Sequence, residues 1–296
     1  MTETGTTSYI DRMQLTGRIN EMLLDFLSEH GFRIIEHGYD LMLRHEPGMK
    51  SKLKRLESKE SLVGLRVKFA PDFIAMYPKG NRRRLFFIDT KASITPVFFP
   101  THIDRVRKHS KENVTRWDIG EIEREAWFVY NRFFPPDQVA IIDAVPYNPK
   151  LLVAEWVSKV KCLWCFKETR QTRMGPVSMP WDCKDCPVFG RDKEDSFDVV
   201  VNKFAGGSQT PHTNIHLGKM RSLKEFLTDE FNVVIDKDWY QTLEEEVKKW
   251  DLNKPVGRVN WTQFNNVVRD LKSKCPWLKG RHPNNIPAGQ GRLDSY

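Results

Sequence analysis

The sequence has no long apolar run and little cysteine. No stretch of about 18 consecutive apolar residues occurs, which argues against a membrane-spanning helix and a membrane partner. The first residues also lack the basic and apolar segments of a secretory signal, so we expect an intracellular protein of the cytoplasm or nucleoid. Only five of the 296 residues are cysteine. This low content suits a reducing compartment better than a disulfide framework.

Positive charge is abundant. The net charge is +8 and the sequence pI is near 9.2. Hydrophobic residues make up 40% of the sequence. The hydrophobic content is enough for a sizeable core, and the length fits one large domain or two to three small ones. The excess of positive charge favours a polyanionic partner, such as a nucleic acid.

Two apolar runs joined by a basic turn predict a β-hairpin. The first run, residues 73–77, follows Asp72, and the second, residues 85–88, leads directly into Asp89 and Lys91. The connecting turn contains Pro, Gly and Asn, which favour reversal of the chain. Antiparallel pairing would bring Asp72 and Asp89 to the same edge of the sheet. Because side chains alternate along a strand, Asp89 and Lys91 should lie on one face.

Two carboxylates beside a lysine have a chemical use. Mg²⁺ binds oxygen ligands and keeps several waters, so Asp72, Asp89 and the carbonyl of Thr90 would suffice to hold it. Such an ion polarises a phosphate and activates a water, while Lys91 stabilises developing negative charge. The alternative is a surface hairpin whose charged side chains are only solvated.

These residues resemble the PD-(D/E)XK nuclease superfamily, with Pro71, Asp72, Asp89 and Lys91 at the positions of the motif. The resemblance implies a restriction-endonuclease-like αβββαβ core with a mixed sheet, in the α/β class. It also implies phosphodiester hydrolysis that depends on Mg²⁺ or Mn²⁺. In that mechanism Lys91 orients the attacking water or helps to deprotonate it.

Members of this superfamily often place a further acid on the first helix. Apolar residues at helical spacing predict that helix over residues 14–30, and Glu21 lies beside its apolar stripe. Glu21 is therefore our candidate for an additional catalytic acid, and Asp40 is a weaker alternative. An ordinary solvated glutamate explains Glu21 equally well.

Four of the cysteines form two CxxC pairs. Cys162 and Cys165 are separated from Cys183 and Cys186 by residues 166–182, which is the spacing of a structural four-cysteine zinc site. Each pair should place two thiolates in one tight turn. The segment resembles a zinc ribbon, which either contacts nucleic acid or only staples the structure. A pair of disulfides and an iron–sulfur cluster are the alternatives.

The patterns divide the chain into three parts. Residues 1–160 form the nuclease-like domain, residues 161–190 the zinc module, and residues 191–296 a mainly helical C-terminal domain. Within the first part, residues 121–127 are predicted to end a helix and residues 127–130 to form a strand. Residues 139–144 are predicted as a further buried strand.

The leading hypothesis is a Mg²⁺-dependent DNA endonuclease of the restriction, homing, junction-resolving, transposition or viral DNA-processing type. Its partner would be double-stranded or branched DNA. Whether the protein forms a homodimer is left open. The main alternative is a non-catalytic, zinc-containing nucleic-acid-binding protein, and a further one is an assembly subunit. RNA stays open as the nucleic acid.

Overall fold

The computed structural model describes residues 4–37, 69–79, 82–172, 175–181, 212–250, 252, 254 and 259–280. The helices in these ranges are α1 (Thr4–Glu29), α2 (Pro100–Ser110), α3 (Arg124–Phe133), α4 (Leu223–Phe231), α5 (Lys237–Lys248) and α6 (Trp261–Lys272). The strands are β1 (Arg33–Glu36), β2 (Phe73–Lys79), β3 (Arg82–Ala92), β4 (Ile119–Glu123), β5 (Val139–Ala144), β6 (Leu152–Trp156), β7 (Cys162–Thr172), β8 (Gly175–Trp181), β9 (His212–His216) and β10 (Arg221–Ser222). Short 3-10 turns span Arg116–Asp118 and Leu217–Lys219. No helix in these ranges has the length and apolarity that crossing a bilayer requires.

A mixed six-stranded sheet lies at the centre, in the order β1-β2-β3-β5-β6-β10. β1, β2 and β3 are antiparallel neighbours, β3 and β5 are parallel, and β6 pairs antiparallel with both β5 and β10. The predicted α/β class and mixed sheet are confirmed, and so is the hairpin, with Phe73 opposite Ile88. A second sheet has the order β4-β9-β7-β8.

Each face of the six-stranded sheet is buried in a different core. On one face α1, α4 and α5 pack against the sheet, with residues such as Leu23, Phe86 and Ile88 in the cluster. On the other face α3, α6 and the second sheet pack together, and Tyr130 belongs to this cluster. Because successive residues of β3 point to opposite faces, Asp89 faces the Tyr130 side.

The described part of residues 191–296 does not form a separate helical domain, contrary to our prediction. α4 and α5 share a core with α1, and α6 shares the other core with β5 and β6. β9 and β10 are strands of the two sheets. The predicted capping box is confirmed, since the Ser222 side chain accepts a hydrogen bond from Glu225 N–H and the Glu225 side chain from Ser222 N–H. Local helix signals identified these elements, but their docking depends on contacts between distant segments.

The predicted order of structure at residues 121–130 is reversed. β4 ends at Glu123, and α3 begins at once and carries residues 124–133. The apolar run around Trp127 is a helix face, with Ala126, Trp127, Val129 and Tyr130 buried. A short run of large apolar residues has no clear periodicity, so the sequence pattern alone cannot separate a strand from a buried helix.

An ion network joins α4 to the six-stranded sheet. The Glu230 carboxylate lies 2.9 Å from Arg221, 3.2 Å from Lys159 and 3.3 Å from Arg84 of β3. Burial alone would raise the pKa of Glu230. Hydrogen bonds, among them those from Arg221 and Lys159, outweigh burial and lower the pKa from 4.5 to about 2.

We predict that Glu230→Gln destabilises the protein at neutral pH by about 2 kcal/mol, because three cations lose a charged acceptor. A carboxyl whose pKa is lower in the folded state stabilises the fold above its unfolded pKa. The difference from wild type should therefore shrink as pH falls from 4.5 towards about 2. Urea unfolding of both proteins at several pH values measures this difference in the free energy of unfolding. Asp229→Asn is the control, because that neighbouring side chain is 58% exposed, and an equal pH dependence in the control would contradict the assignment.

Candidate functional site

Asp72 is held at the entrance to β2 by contacts with two other segments. The backbone N–H of His37 donates to the carbonyl of Asp72 at 2.6 Å, and His37 Nδ1 donates to the carbonyl of Pro71 at 3.0 Å. Asp72 Oδ2 accepts hydrogen bonds from the N–H of Thr90 at 2.8 Å and from its hydroxyl at 2.7 Å. The hairpin thus fixes Asp72 beside the end of β3, as predicted from the two apolar runs.

Asp89 and Lys91 lie on the same face of β3 and form an ion pair. Lys91 Nζ donates to Asp89 Oδ1 at 3.2 Å and lies 2.9 Å from Oδ2. Tyr130 of α3 donates its hydroxyl to Oδ1 at 2.6 Å. Asp89 is only 1% exposed, so its carboxylate is buried with Lys91 as its cationic partner.

Burial and neighbouring charges shift the pKa values of this pair. Burial raises the pKa of Asp89 to about 6; the positive charge of Lys91 opposes this rise, and the negative charge of Asp72 adds to it. For Lys91, burial alone would lower the pKa. The negative charges of Asp89 and Asp72 outweigh burial and raise the pKa above its ordinary value. Asp72, Asp89 and Lys91 therefore share one electrostatic environment, and Lys91 remains an ammonium at neutral pH.

The carbonyl of Thr90 faces the Asp72 side of β3. The N–H of Phe87 donates to Gln138 and that of Ser93 to Ala144, so odd-numbered residues in this segment hydrogen-bond towards β5. The N–H of Thr90 points the other way, to Asp72. Because the N–H and C=O of one strand residue point to the same side, the Thr90 carbonyl also faces Asp72. This orientation agrees with the predicted use of that carbonyl as a ligand.

Glu21 does not join this site. Its side chain is 72% exposed and lies 3.7 Å from Arg18, which in turn lies 3.8 Å from Glu246 of α5. The helix that carries Glu21 packs on the sheet face opposite the one where Asp89 meets Tyr130. Helical spacing located α1 correctly but could not show which face of the sheet it covers. The alternative acid, Asp40, lies outside the described residues.

Other residues that the sequence interpretation missed surround Lys91. Asp143 of β5 is fully buried, stands beside Lys91 in the parallel register and accepts two hydrogen bonds from Ser93. Burial raises the pKa of Asp143 to about 7. Glu123, the last residue of β4, contributes negative charge near both Lys91 and Tyr130. An aspartate near the end of an apolar run was a visible signal for Asp143, whereas no local pattern marks Tyr130 or Glu123.

A magnesium ion fits this site only if water completes its coordination. Among the described residues, no group of three or more His, Cys, Asp and Glu side chains is arranged to hold a metal ion. Asp72 and Asp89 provide two carboxylates, and the charges of both act on the Lys91 ammonium beside them. Mg²⁺ commonly uses one or two carboxylates and keeps several waters, so this donor set is sufficient for Mg²⁺.

The predicted zinc site falls only partly within the described residues. Cys162 and Cys165 belong to β7, where the pairing with β9 is irregular between Cys162 and Trp164. The expected tight turn is therefore an irregular strand in this structure, and Cys162 Sγ lies 3.1 Å from Thr213 Oγ1. Cys183 and Cys186 lie outside the described residues. A four-cysteine zinc site stays a prediction.

No protein-family model, no curated protein and no solved structure matches this chain. Function is therefore inferred from the residues of the site and from their chemistry.

Proposed function

We propose that this protein is a Mg²⁺-dependent phosphodiesterase that cuts DNA, with Asp72, Asp89 and Lys91 as its catalytic residues. The observation that carries the proposal is the convergence of three charged side chains: the buried carboxylate of Asp89 lies 2.9 Å from Lys91, and the negative charge of Asp72 acts on both. A buried charge of this kind is costly unless it is paired or binds a cation.

The order of elements supports the same proposal. In the described part of the chain, α1 precedes the antiparallel strands β1, β2 and β3. α2, the second-sheet strand β4 and α3 follow, and β5 then returns parallel to β3. With β4 set aside in the second sheet, this is the αβββαβ order that the restriction-endonuclease-like fold would have. The candidate residues lie where β2 begins and β3 ends, as the resemblance implies.

In the proposed mechanism, Asp72, Asp89 and the Thr90 carbonyl hold Mg²⁺. Bound there, the ion would supply Lewis-acid polarisation of the phosphate and a water of lowered pKa. Tyr130 orients the Asp89 carboxylate through Oδ1. Lys91, whose ammonium lies 2.9 Å from Asp89 Oδ2, would contribute the positive charge that positions water and phosphate.

The test is a cleavage assay on supercoiled, linear and branched DNA with Mg²⁺, Mn²⁺, Ca²⁺ or EDTA. We expect strand cleavage with Mg²⁺ and Mn²⁺ and none with EDTA. Calorimetric titration with Mn²⁺ should detect binding in the absence of DNA. A protein that binds DNA but leaves every substrate intact with both cations, and takes up no Mn²⁺, would refute the proposal.

One observation favours a second function. The Lys91 ammonium already neutralises Asp89 without a metal ion, so the cluster can be explained as a buried structural ion pair. The protein would then be a non-catalytic nucleic-acid-binding protein with the same basic surface. The cleavage and Mn²⁺ titration experiments separate these two functions.

A further inference from the structure

Helix α2 carries a row of basic residues on the side that faces solvent. Its buried side, with Ile103 and Val106, packs into a small apolar cluster that also contains Ile119 at the start of β4. Arg105, Lys108 and Lys111 are exposed and follow one another at intervals of three residues. At 3.6 residues per turn, this interval places Arg105 and Lys108 on the side opposite Ile103 and Val106. Lys111 follows them as the C-cap residue, in the left-handed conformation with φ 57°. We call these three residues the α2 basic stripe.

The neighbouring charges leave this stripe positive. Asp104 is an acid on the exposed side of α2, and it lies 3.5 Å from Arg107, whose Nε also donates to the carbonyl of Val114. Within the described residues, no ion pair is found for Arg105, Lys108 or Lys111. Like charges three residues apart on a helix repel each other. The helix dipole favours cations in the last turn, but Arg105 lies before that turn.

The separation between the α2 basic stripe and the candidate site is limited by the elements that connect them. Val106 of α2 packs with Ile119, and β4 runs from Ile119 to Glu123, whose charge acts on Lys91. Four residue steps of a strand span about 14 Å. Because the stripe lies opposite the buried side of α2, about one helix diameter is added, which gives a path of about 25 Å. The stripe therefore lies within about seven base pairs of the site, at about 3.4 Å each.

We propose that the α2 basic stripe binds the phosphate backbone of duplex DNA within about seven base pairs of the scissile phosphate. This inference rests on the proposed nuclease function for its reference point. The chemistry is charge complementarity: ammonium and guanidinium groups neutralise phosphates and release condensed counterions. Such contacts position the duplex without reading its sequence.

The test compares two triple variants of the full chain, each with the net charge reduced by three. The first is Arg105→Gln/Lys108→Gln/Lys111→Gln. The control is Lys237→Gln/Lys272→Gln/Lys274→Gln, which alters exposed lysines near α5 and α6. Binding of a fluorescein-labelled 30-base-pair duplex is measured by anisotropy in EDTA at several salt concentrations. Circular dichroism and thermal unfolding check that both variants fold.

If the stripe contacts three phosphates, its variant loses about 2.7 from the slope of log K against log salt. The same slope corresponds to a loss of about 10²-fold in affinity at 0.15 M salt. The control variant should change much less. Equal losses in both variants, or a selective loss on anionic phospholipid vesicles but not on the duplex, would overturn the inference.

Hydrolysis of bis(p-nitrophenyl) phosphate separates this inference from the proposed function. The small diester reaches the candidate site without touching α2, so the stripe variant should hydrolyse it at the wild-type rate in Mn²⁺. If even the wild type does not hydrolyse the diester or DNA, the nuclease proposal fails. In that case the placement relative to the scissile phosphate fails with it, whatever the variants show about binding. If the stripe variant alone loses diester hydrolysis, the stripe belongs to the site and the inference is wrong.

Discussion

Asp89→Asn is expected to abolish Mg²⁺-dependent DNA cleavage while the fold and DNA binding are retained. Asparagine has the shape of aspartate and can still accept the hydrogen bond from Tyr130, but it supplies no negative charge for a cation. Loss of several kcal/mol of transition-state stabilisation corresponds to at least about a 10³-fold fall in rate. Initial cleavage rates at saturating Mg²⁺ measure this effect.

Asp137→Asn provides a matched control. Asp137 is exposed in the connection between α3 and β5. Its substitution makes the same chemical change at a position away from the site. The control should cleave at the wild-type rate, and Asp89→Asn should bind labelled duplex as tightly as wild type in EDTA. Asp89→Asn should also lose the heat of Mn²⁺ binding. Cleavage by Asp89→Asn within tenfold of wild type would remove Asp89 from the catalytic site.

Lys91→Met is expected to lose both activity and stability. Removing a fixed positive charge beside developing phosphate charge costs about 10²- to 10³-fold in rate. The substitution also leaves the buried Asp89 carboxylate without its cation. Breaking a fully buried pair costs about 3–5 kcal/mol, and we expect about 2 kcal/mol here, because the Lys91 side chain is 29% exposed. Cleavage kinetics and urea unfolding at pH 7.5 measure the two losses.

The double variant Lys91→Met/Asp89→Asn separates catalysis from charge balance. Removing both partners eliminates the uncompensated charge, so stability should recover most of what Lys91→Met lost. Activity should stay absent, because the double variant has neither the cation ligand nor the positive charge. A stability equal to that of Lys91→Met would show that the ion pair is not the source of the loss. Full activity of Lys91→Met would show that Lys91 has no role in catalysis.

The sequence pattern of residues 72–91 predicted a large part of this arrangement. Two apolar runs and a turn were sufficient to predict the hairpin, and its register places Asp72 beside Thr90. Side-chain alternation correctly placed Asp89 and Lys91 on one face. These predictions succeeded because they depend on residues within about twenty positions of each other.

The failures share a different cause. Glu21 was chosen because it lies beside the apolar stripe of α1, but that helix packs on the face away from Asp89. The C-terminal helices were correctly predicted as helices, yet their cores are shared with the first half of the chain. Neither packing arrangement has a local sequence signal.

Local patterns thus specify the hairpin and the positions of Asp72, Asp89 and Lys91 in it, because strand periodicity and turn chemistry act between near neighbours. The burial of Asp89, its hydrogen bond from Tyr130, and the approach of Asp143 and Glu123 to Lys91 arise when α3, β4 and β5 pack on β3. Burial and electrostatic coupling depend on distance in space rather than along the chain. For that reason the shifts in the pKa values of Asp89 and Lys91 follow from the folded arrangement alone.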